Sequence, residues 1–238
     1  MNSKFSIKKI LILVTILAVP GFLYYMLQEK GKNRYRPLEI FGPKVVANTF
    51  HTKRGKKIPD TIYHQIRNFK LSTERGETMG LPTDSNTITV VNFFFTRCTS
   101  FCKEMNTQMA RVAGQFPSNK LLRFYSITVD PEFDTQEVLQ KYSQSFKANP
   151  KRWSFLRGDK DFIFQLARKD FLVDALDQTK QGGEIIHSPM LILVDPNNRI
   201  RGYYDSGSKE QVNKLIDEIK VQISEELRKI DVKPARIK

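Results

Sequence analysis

Cysteine, tryptophan and histidine are scarce: two, one and three in 238 residues. Two cysteines cannot staple a disulfide-dense miniprotein. Acidic residues are outnumbered, 25 against 39 basic ones, which leaves a formal charge of +14. The chain shows no internal repeat, no low-complexity tract and no phosphate-binding glycine loop. What it does have is 40% hydrophobic residues, too many for a disordered polymer and enough for one sizeable domain, alone or with appendages.

A charge this basic points to nucleic acid or an anionic membrane, and its distribution decides between them. Residues 1–57 carry a net +10, residues 58–227 are neutral and residues 228–238 carry +4. A nucleic-acid-binding domain carries its basic patch on the fold. Here the basic excess sits at the two ends, so no nucleic-acid partner is expected. Basic residues beside an apolar anchor fit a membrane surface.

Such an anchor is present. Lys4, Lys8 and Lys9 precede Ile10 to Leu27, which holds no charged residue. At about 1.5 Å per residue, 18 residues of helix cover roughly 27 Å, close to a bilayer core. Tyr24 and Tyr25 stand where an interfacial aromatic belt would lie. The rivals are a buried helix and a cleaved signal peptide. Ala18-Val19-Pro20 makes a poor cleavage site, and the terminal position argues against burial, so residues 1–30 are read as an uncleaved signal-anchor. Basic residues flank the span on both sides, so charge alone does not orient it. No Arg- and Ser-rich presequence precedes it. Residues 31–57 read as a basic tether and 229–238 as a basic tail.

Between them, strands alternate with helices. Ile66 to Leu71 alternates ahead of a Glu74–Glu77 turn, an early hairpin. Ile88 to Thr96 is β-branched and aromatic, as in a buried central strand. Met105, Met109, Val112, Ala113 and Phe116 follow at helical spacing, which marks both methionines as core. Leu121 to Val129 is a second strand. Asp134 and Glu137 have capping-box spacing at the head of another helix. Trp153 to Leu156 is a short strand, and Asp159 caps the next helix. Met190 to Val194 and Ile200 to Tyr204 flank an Asp195–Asn198 turn. Ser208 and Gln211 open a last amphipathic helix. This order implies an α/β fold with a mixed central sheet and helices on both faces.

Cys98 and Cys102 lie where the buried strand opens into a helix, the place where α/β folds carry reactive groups. A helix N-terminus, with Arg97 and Lys103 alongside, is expected to lower their thiol pKa values. If both occupy one helical turn, their i, i+4 spacing lets them meet each other or one soft metal ion. The bland alternative is two small buried hydrophobes. Of the histidines, His51 sits among basic tether residues and reads as solvated. His64 has no evident partner. His187 follows Gly182-Gly183 at a loop–strand junction and can reach the cysteines if its strand neighbours theirs. Two sulfurs and an imidazole suit copper. Asp130 reads as a turn residue, with a supporting role near the site as the alternative.

Three blocks resemble the Sco/SenC family: Val91–Cys102 (VNFFFTRCTSFC), Ser126–Tyr142 with Trp153–Leu156, and His187–Tyr204 (HSPMLILVDPNNRIRGYY). The resemblance spans roughly residues 58–228 and implies a thioredoxin-like three-layer fold behind one N-terminal transmembrane helix. It implies that Cys98, Cys102 and His187 bind copper, as Cu(I) and also Cu(II). It implies delivery to the CuA-bearing subunit of cytochrome c oxidase, or another copper protein, by a monomeric domain outside the cytoplasm of a bacterial cell, anchored in its inner membrane. Thr99 and Lys103 replace prolines common after the two family cysteines. Two other readings compete: a thiol–disulfide oxidoreductase with Cys98 and Cys102 as its catalytic redox pair, and a docking scaffold. The proline expected ahead of a peroxidatic cysteine is missing.

Overall fold

The computed structural model describes residues 7–30, 37–53, 55–82, 86–99, 101–177 and 185–231. The chain divides into two units, residues 1–36 and 37–238. The first contains helix α1, Ile7–Lys30. Its segment Ile7–Met26 is long and apolar enough to cross a membrane. Apolar side chains from Leu11 to Tyr25 lie uncovered on all sides, as lipid-facing residues would.

The second unit begins with a correction. Residues 31–57 were expected to be a tether, yet Lys44–Lys53 (β1) pairs antiparallel with Lys56–Tyr63 (β2). Residues before this hairpin are also held. The buried Arg201 guanidinium donates to the Leu38 and Glu39 carbonyls and pairs with Asp195 and Glu225. Nearly all residues of β1 and β2 are exposed, in keeping with their basic composition, while long-range hydrogen bonds from Arg201 hold Leu38 and Glu39. The early hairpin is present as β3 (Leu71–Thr73) and β4 (Thr78–Met79).

The central elements follow the expected order: β5 (Ile88–Phe94), α2 (Cys102–Gln115), β6 (Leu122–Thr128), α3 (Gln136–Ser145) and β7 (Trp153–Arg157). Helix α4 (Lys160–Gln165) runs into a π-helical turn, Leu166–Asp170, and Asp159 accepts from the Phe162 N–H as its cap. Then come β8 (Ala175–Asp177), β9 (Ile185–His187), β10 (Met190–Val194), β11 (Ile200–Asp205) and α5 (Lys209–Asp231). The Gly182-Gly183 segment and residues 232–238 lie outside the described residues, and 229–231 belong to α5 rather than to a tail.

The main sheet has the order β11-β10-β5-β6-β7-β3-β4, with β5, β6 and β7 parallel and the remaining pairs antiparallel. All seven residues of β5 are buried because both of its faces are covered. Ile88, Val90 and Phe94 join Met105, Met109 and Val112 of α2, Leu139 of α3 and Val212, Leu215 and Ile219 of α5. Val91 and Phe93 face the opposite cluster, with Ile163, Leu166 and Phe171 around α4. The period-2 geometry of one strand thus feeds two cores. Fully buried Met105 and Met109 are core residues, as their spacing predicted.

One cap differs from expectation. The α3 N-cap is Thr135, whose hydroxyl accepts from the Val138 N–H. Asp134 instead points inward and is fully buried. Donors from Thr96, in the loop after β5, and from Thr128 of β6 hold its carboxylate instead of the helix N-terminus, with consequences for the neighbouring site.

Candidate metal centre

Strand β5 ends at Phe94 and α2 begins at Cys102, so Cys98 lies in the connecting loop. The expectation that both cysteines share a helical turn is corrected. Only Cys102 is helical, and a turn closed by the Cys98 N–H to the Phe95 carbonyl, at 3.4 Å, shapes the path of the loop. Cys98 is half-buried, Cys102 is buried, and no disulfide joins them.

His187 closes β9, which leads through Ser188 and Pro189 into β10. Because β10 pairs with β5, with Ile192 opposite Val91, the histidine arrives beside the cysteine loop. Its Nε2 lies 3.0 Å from the Cys102 sulfur. The two sulfurs and a ring nitrogen all lie within 4.8 Å of one another, and no other such cluster of three occurs among the described residues. Phe95 and Phe101 flank the imidazole, with centroids 5.5 and 4.7 Å from its own.

These donors fit a soft ion. Ligand atoms about 2.0–2.3 Å from one centre require a span close to the one observed. Two sulfurs and an imidazole prefer Cu(I) or zinc over the hard cations. His187 is 5% exposed, and burial pushes its pKa down to about 4, with the Ser188 and Phe93 backbone opposing. The ring is therefore neutral at pH 7, as a ligand must be. Nδ1 makes no hydrogen bond of ordinary geometry, so the nitrogen aimed at sulfur is the one with a productive neighbour.

The predicted thiol activation is not what the structure shows for Cys102. Burial pushes this thiol strongly upward, and its hydrogen bond with Cys98 and the nearby Asp134 charge add to the effect. Desolvation outweighs the helix N-terminus. Arg97 does not offset it: its Nε donates to the Asp130 carboxylate at 2.7 Å, and the guanidinium lies 4.8 Å from the Phe133 ring centroid. Lys103 points to solvent. A metal ion can supply the positive charge that favours the thiolate here.

Around the loop stands a carboxylate frame that sequence reasoning missed in part. Asp134 accepts from the Thr96 N–H at 3.1 Å and from the hydroxyls of Thr96 and Thr128. Asp130, 1% exposed, is both a turn residue and the anchor for Arg97, the neighbour of Cys98. The signal for Asp130 was its adjacency to Pro131 at a strand end. Asp134 was masked by its capping-box spacing. The other two histidines lie elsewhere. His51 is exposed and pairs with Asp60 at 2.6 Å. His64 is not partnerless, because its Nε2 contacts the Asp170 carbonyl at 2.7 Å.

A mixed sheet between helical layers, with a Cys-Cys-His cluster at the end of its central strand, defines a thioredoxin-like protein equipped for a soft metal. Residues 60–224 match the SCO1/SenC family model, and the chain belongs to that family. A SCO2-like protein of Rickettsia prowazekii is 28% identical over 217 residues, covering 88% of this chain and 96% of the relative. Two solved structures, each 22% identical, share the fold. BsSco, described as a member of the Sco family of cytochrome c oxidase assembly proteins with a disulfide switch, has a TM-score of 0.59 and covers 67% of this chain and 93% of its own. Copper-bound ScoI of Arabidopsis thaliana has a TM-score of 0.54, with coverage of 65% and 97%.

Proposed function

We propose that this chain is a membrane-anchored copper-binding metallochaperone, with Cys98, Cys102 and His187 as its metal ligands. The observation that carries the reading is the convergence of two sulfurs and a neutral imidazole from loop, helix and strand within 4.8 Å. The copper-bound plant ScoI supports the choice of metal. Copper is cargo here. Three protein ligands leave a position open to a donor from the recipient, and half-buried Cys98 is the ligand that such a donor reaches first. Copper then moves by ligand exchange without release to water.

The recipient is the CuA-bearing subunit of cytochrome c oxidase or another copper protein, in line with the assembly role given for the BsSco family. Helix α1 would fix the domain to the bacterial inner membrane as a single-pass anchor, with a monomeric domain on the extracytoplasmic side. The test is a Cu(I) titration of the reduced full chain in detergent against a competing chelator, beside His187→Ala. One-to-one binding that weakens at least about tenfold, or 1.4 kcal/mol, in the variant is expected. Binding indifferent to His187 refutes the reading.

One observation favours a second reading. Cys98 is half-buried beside a buried Cys102, the arrangement of an attacking and a resolving thiol. The disulfide switch described for BsSco is consistent with it. A thiol–disulfide oxidoreductase would retain turnover on a disulfide substrate in His187→Ala, and a metallochaperone would show none in either form.

A further inference from the structure

Strand β5 buries its side chains on both faces, whereas the β1–β2 hairpin carries apolar side chains on two uncovered faces. Strand β2 alternates regularly, so Ile58 and Ile62 share one face with their partners His51 and Val45. Val46 and Phe50, opposite Thr61 and Pro59, lie on the other face. Val45, Val46, Phe50 and Ile62 are each more than half exposed, and Ile58 more than a third. A two-stranded hairpin is marginal in water by itself, and a concentration of exposed apolar side chains marks a contact surface.

The base of the hairpin is fixed to the domain. The His64 N–H donates to the Pro43 carbonyl at 3.1 Å, and the Phe41 N–H donates to the Ile200 carbonyl at 2.9 Å. The far end is basic. Lys53 stands directly opposite Lys56, with Lys57 beside it, and like charges so placed destabilise a ladder. No ion pair among the described residues involves these three lysines. The one acid of the two strands, Asp60, is held by His51 at 2.6 Å.

Three features choose what covers this arm. The lysines require an anionic surface, and a second copy of the same hairpin would repel them. Apolar side chains on both faces suit a lipid interface, which surrounds a ribbon, better than a protein groove, which covers one face. The chain from Lys30, where α1 ends, to Lys44 can extend no further than about 50 Å, which keeps the hairpin within reach of the bilayer that α1 enters.

We propose that the β1–β2 hairpin docks on an anionic bilayer surface, with Lys53, Lys56 and Lys57 at the headgroups and Phe50 and Ile58 in the interface beside them. The proposal rests on α1 as a membrane anchor and adds a second attachment, which restricts how the domain turns above the membrane.

The test uses the full chain in vesicles of phosphatidylcholine, alone or mixed with phosphatidylglycerol in equal parts. The phosphatidylcholine is brominated near the headgroup end of its acyl chains, and matched vesicles without bromine give the reference. Phe50→Trp is the reporter, and Leu227→Trp, an exposed position on α5, is the control. Trp153, the single native tryptophan, is buried and supplies a constant background. Insertion of α1 is read separately, as resistance to extraction at alkaline pH. In mixed vesicles the reporter should shift to the blue and be quenched at least about twofold more than in phosphatidylcholine, with the control unchanged. Lys53→Gln, Lys56→Gln and Lys57→Gln combined should lower the docked-to-free ratio about 100-fold and remove that difference. An unquenched reporter in a chain that resists extraction overturns the proposal and leaves the anchor standing. Extraction of the chain refutes the anchor itself, and the proposal falls with it. Equal quenching in both lipids, equal quenching of the control, or quenching that survives the lysine substitutions also overturns it. So does a blue shift without quenching that grows with protein density, the mark of a second copy on the hairpin.

Discussion

The two ends of strands β5, β6 and β7 carry opposite chemistry. Beyond their carboxyl ends stand soft donors, Cys98, Cys102 and His187, framed by the buried carboxylates Asp130 and Asp134. At the amino ends stand Arg152 and Lys147 against an aromatic wall, with no acid in the lining. The carboxyl end is assembled from distant segments that satisfy one another: Thr96 and Thr128 serve Asp134, and Arg97 serves Asp130. The amino end leaves a donor edge unanswered. One sheet can thus carry different chemistry at its two ends, because the loops there are independent.

That contrast can be broken most severely at Cys102. Cys102→Ser should reduce Cu(I) affinity by more than the roughly 100-fold limit typical of residues that only support a ligand, as measured by chelator competition. Arg152→Gln should leave that affinity unchanged in the same assay. An equal loss in both variants would mean that the two ends are coupled.

Removal of the frame is the next largest effect. Asp134→Ala strands the Thr96 N–H and two hydroxyls in a partly buried site, at a cost of about 3 kcal/mol in a denaturant midpoint series. Asp134→Asn keeps an acceptor and should lose about 1 kcal/mol. Equal losses would show that the frame needs both carboxylate oxygens or their charge, because the amide keeps the shape and only one acceptor.

A pH scan of the metal-free protein sharpens the role of His187. Its folded pKa is pushed down to about 4 by burial. An unfolded imidazole titrates near 6.5. The contribution is fully present above about pH 6.5, where both states are neutral. It falls away as pH drops towards about 4, because only the unfolded chain takes up the proton. The gap corresponds to about 3 kcal/mol, and His187→Gln should flatten that window in urea unfolding at successive pH values. Saturating metal should steepen the dependence and carry it to lower pH, because the bound ion keeps the folded ring and sulfurs deprotonated while the unfolded chain takes up protons.

The smallest effect is expected at Arg97, which is 53% exposed and pairs with buried Asp130. Arg97→Ala should cost about 1 kcal/mol, after allowance for solvent screening, and reduce Cu(I) affinity about threefold or less. A tenfold loss would assign the ion pair a direct part in shaping the cysteine loop.

Much of this was legible without coordinates. The apolar Ile10–Leu27 run, the buried β5 pattern, the α2 and α5 stripes and the Asp195–Asn198 hairpin all have periodicities contained in a short window. The placement of the two cysteines at a strand–helix junction was legible for the same reason. Three blocks in the right order then implied His187 as their companion, through family resemblance.

What only the tertiary structure decided depends on separation and on water. The Cys102–His187 contact spans 85 positions and the Thr96–Asp134 bond spans 38, so neither has a local pattern. Asp134 satisfies a helix-cap rule in the sequence but lies beside stronger donors in the fold. Local charge and the helix N-terminus predicted an acidified Cys102, whereas burial raises its pKa. The basic run at 31–57 reads as a tether; its β1 side chains are largely exposed, yet β1 pairs with β2 and the Leu38 and Glu39 carbonyls receive Arg201. Composition and period set which residues lie together along an element. Desolvation and long-range hydrogen bonding are properties of the packed molecule, and they set the protonation of the site.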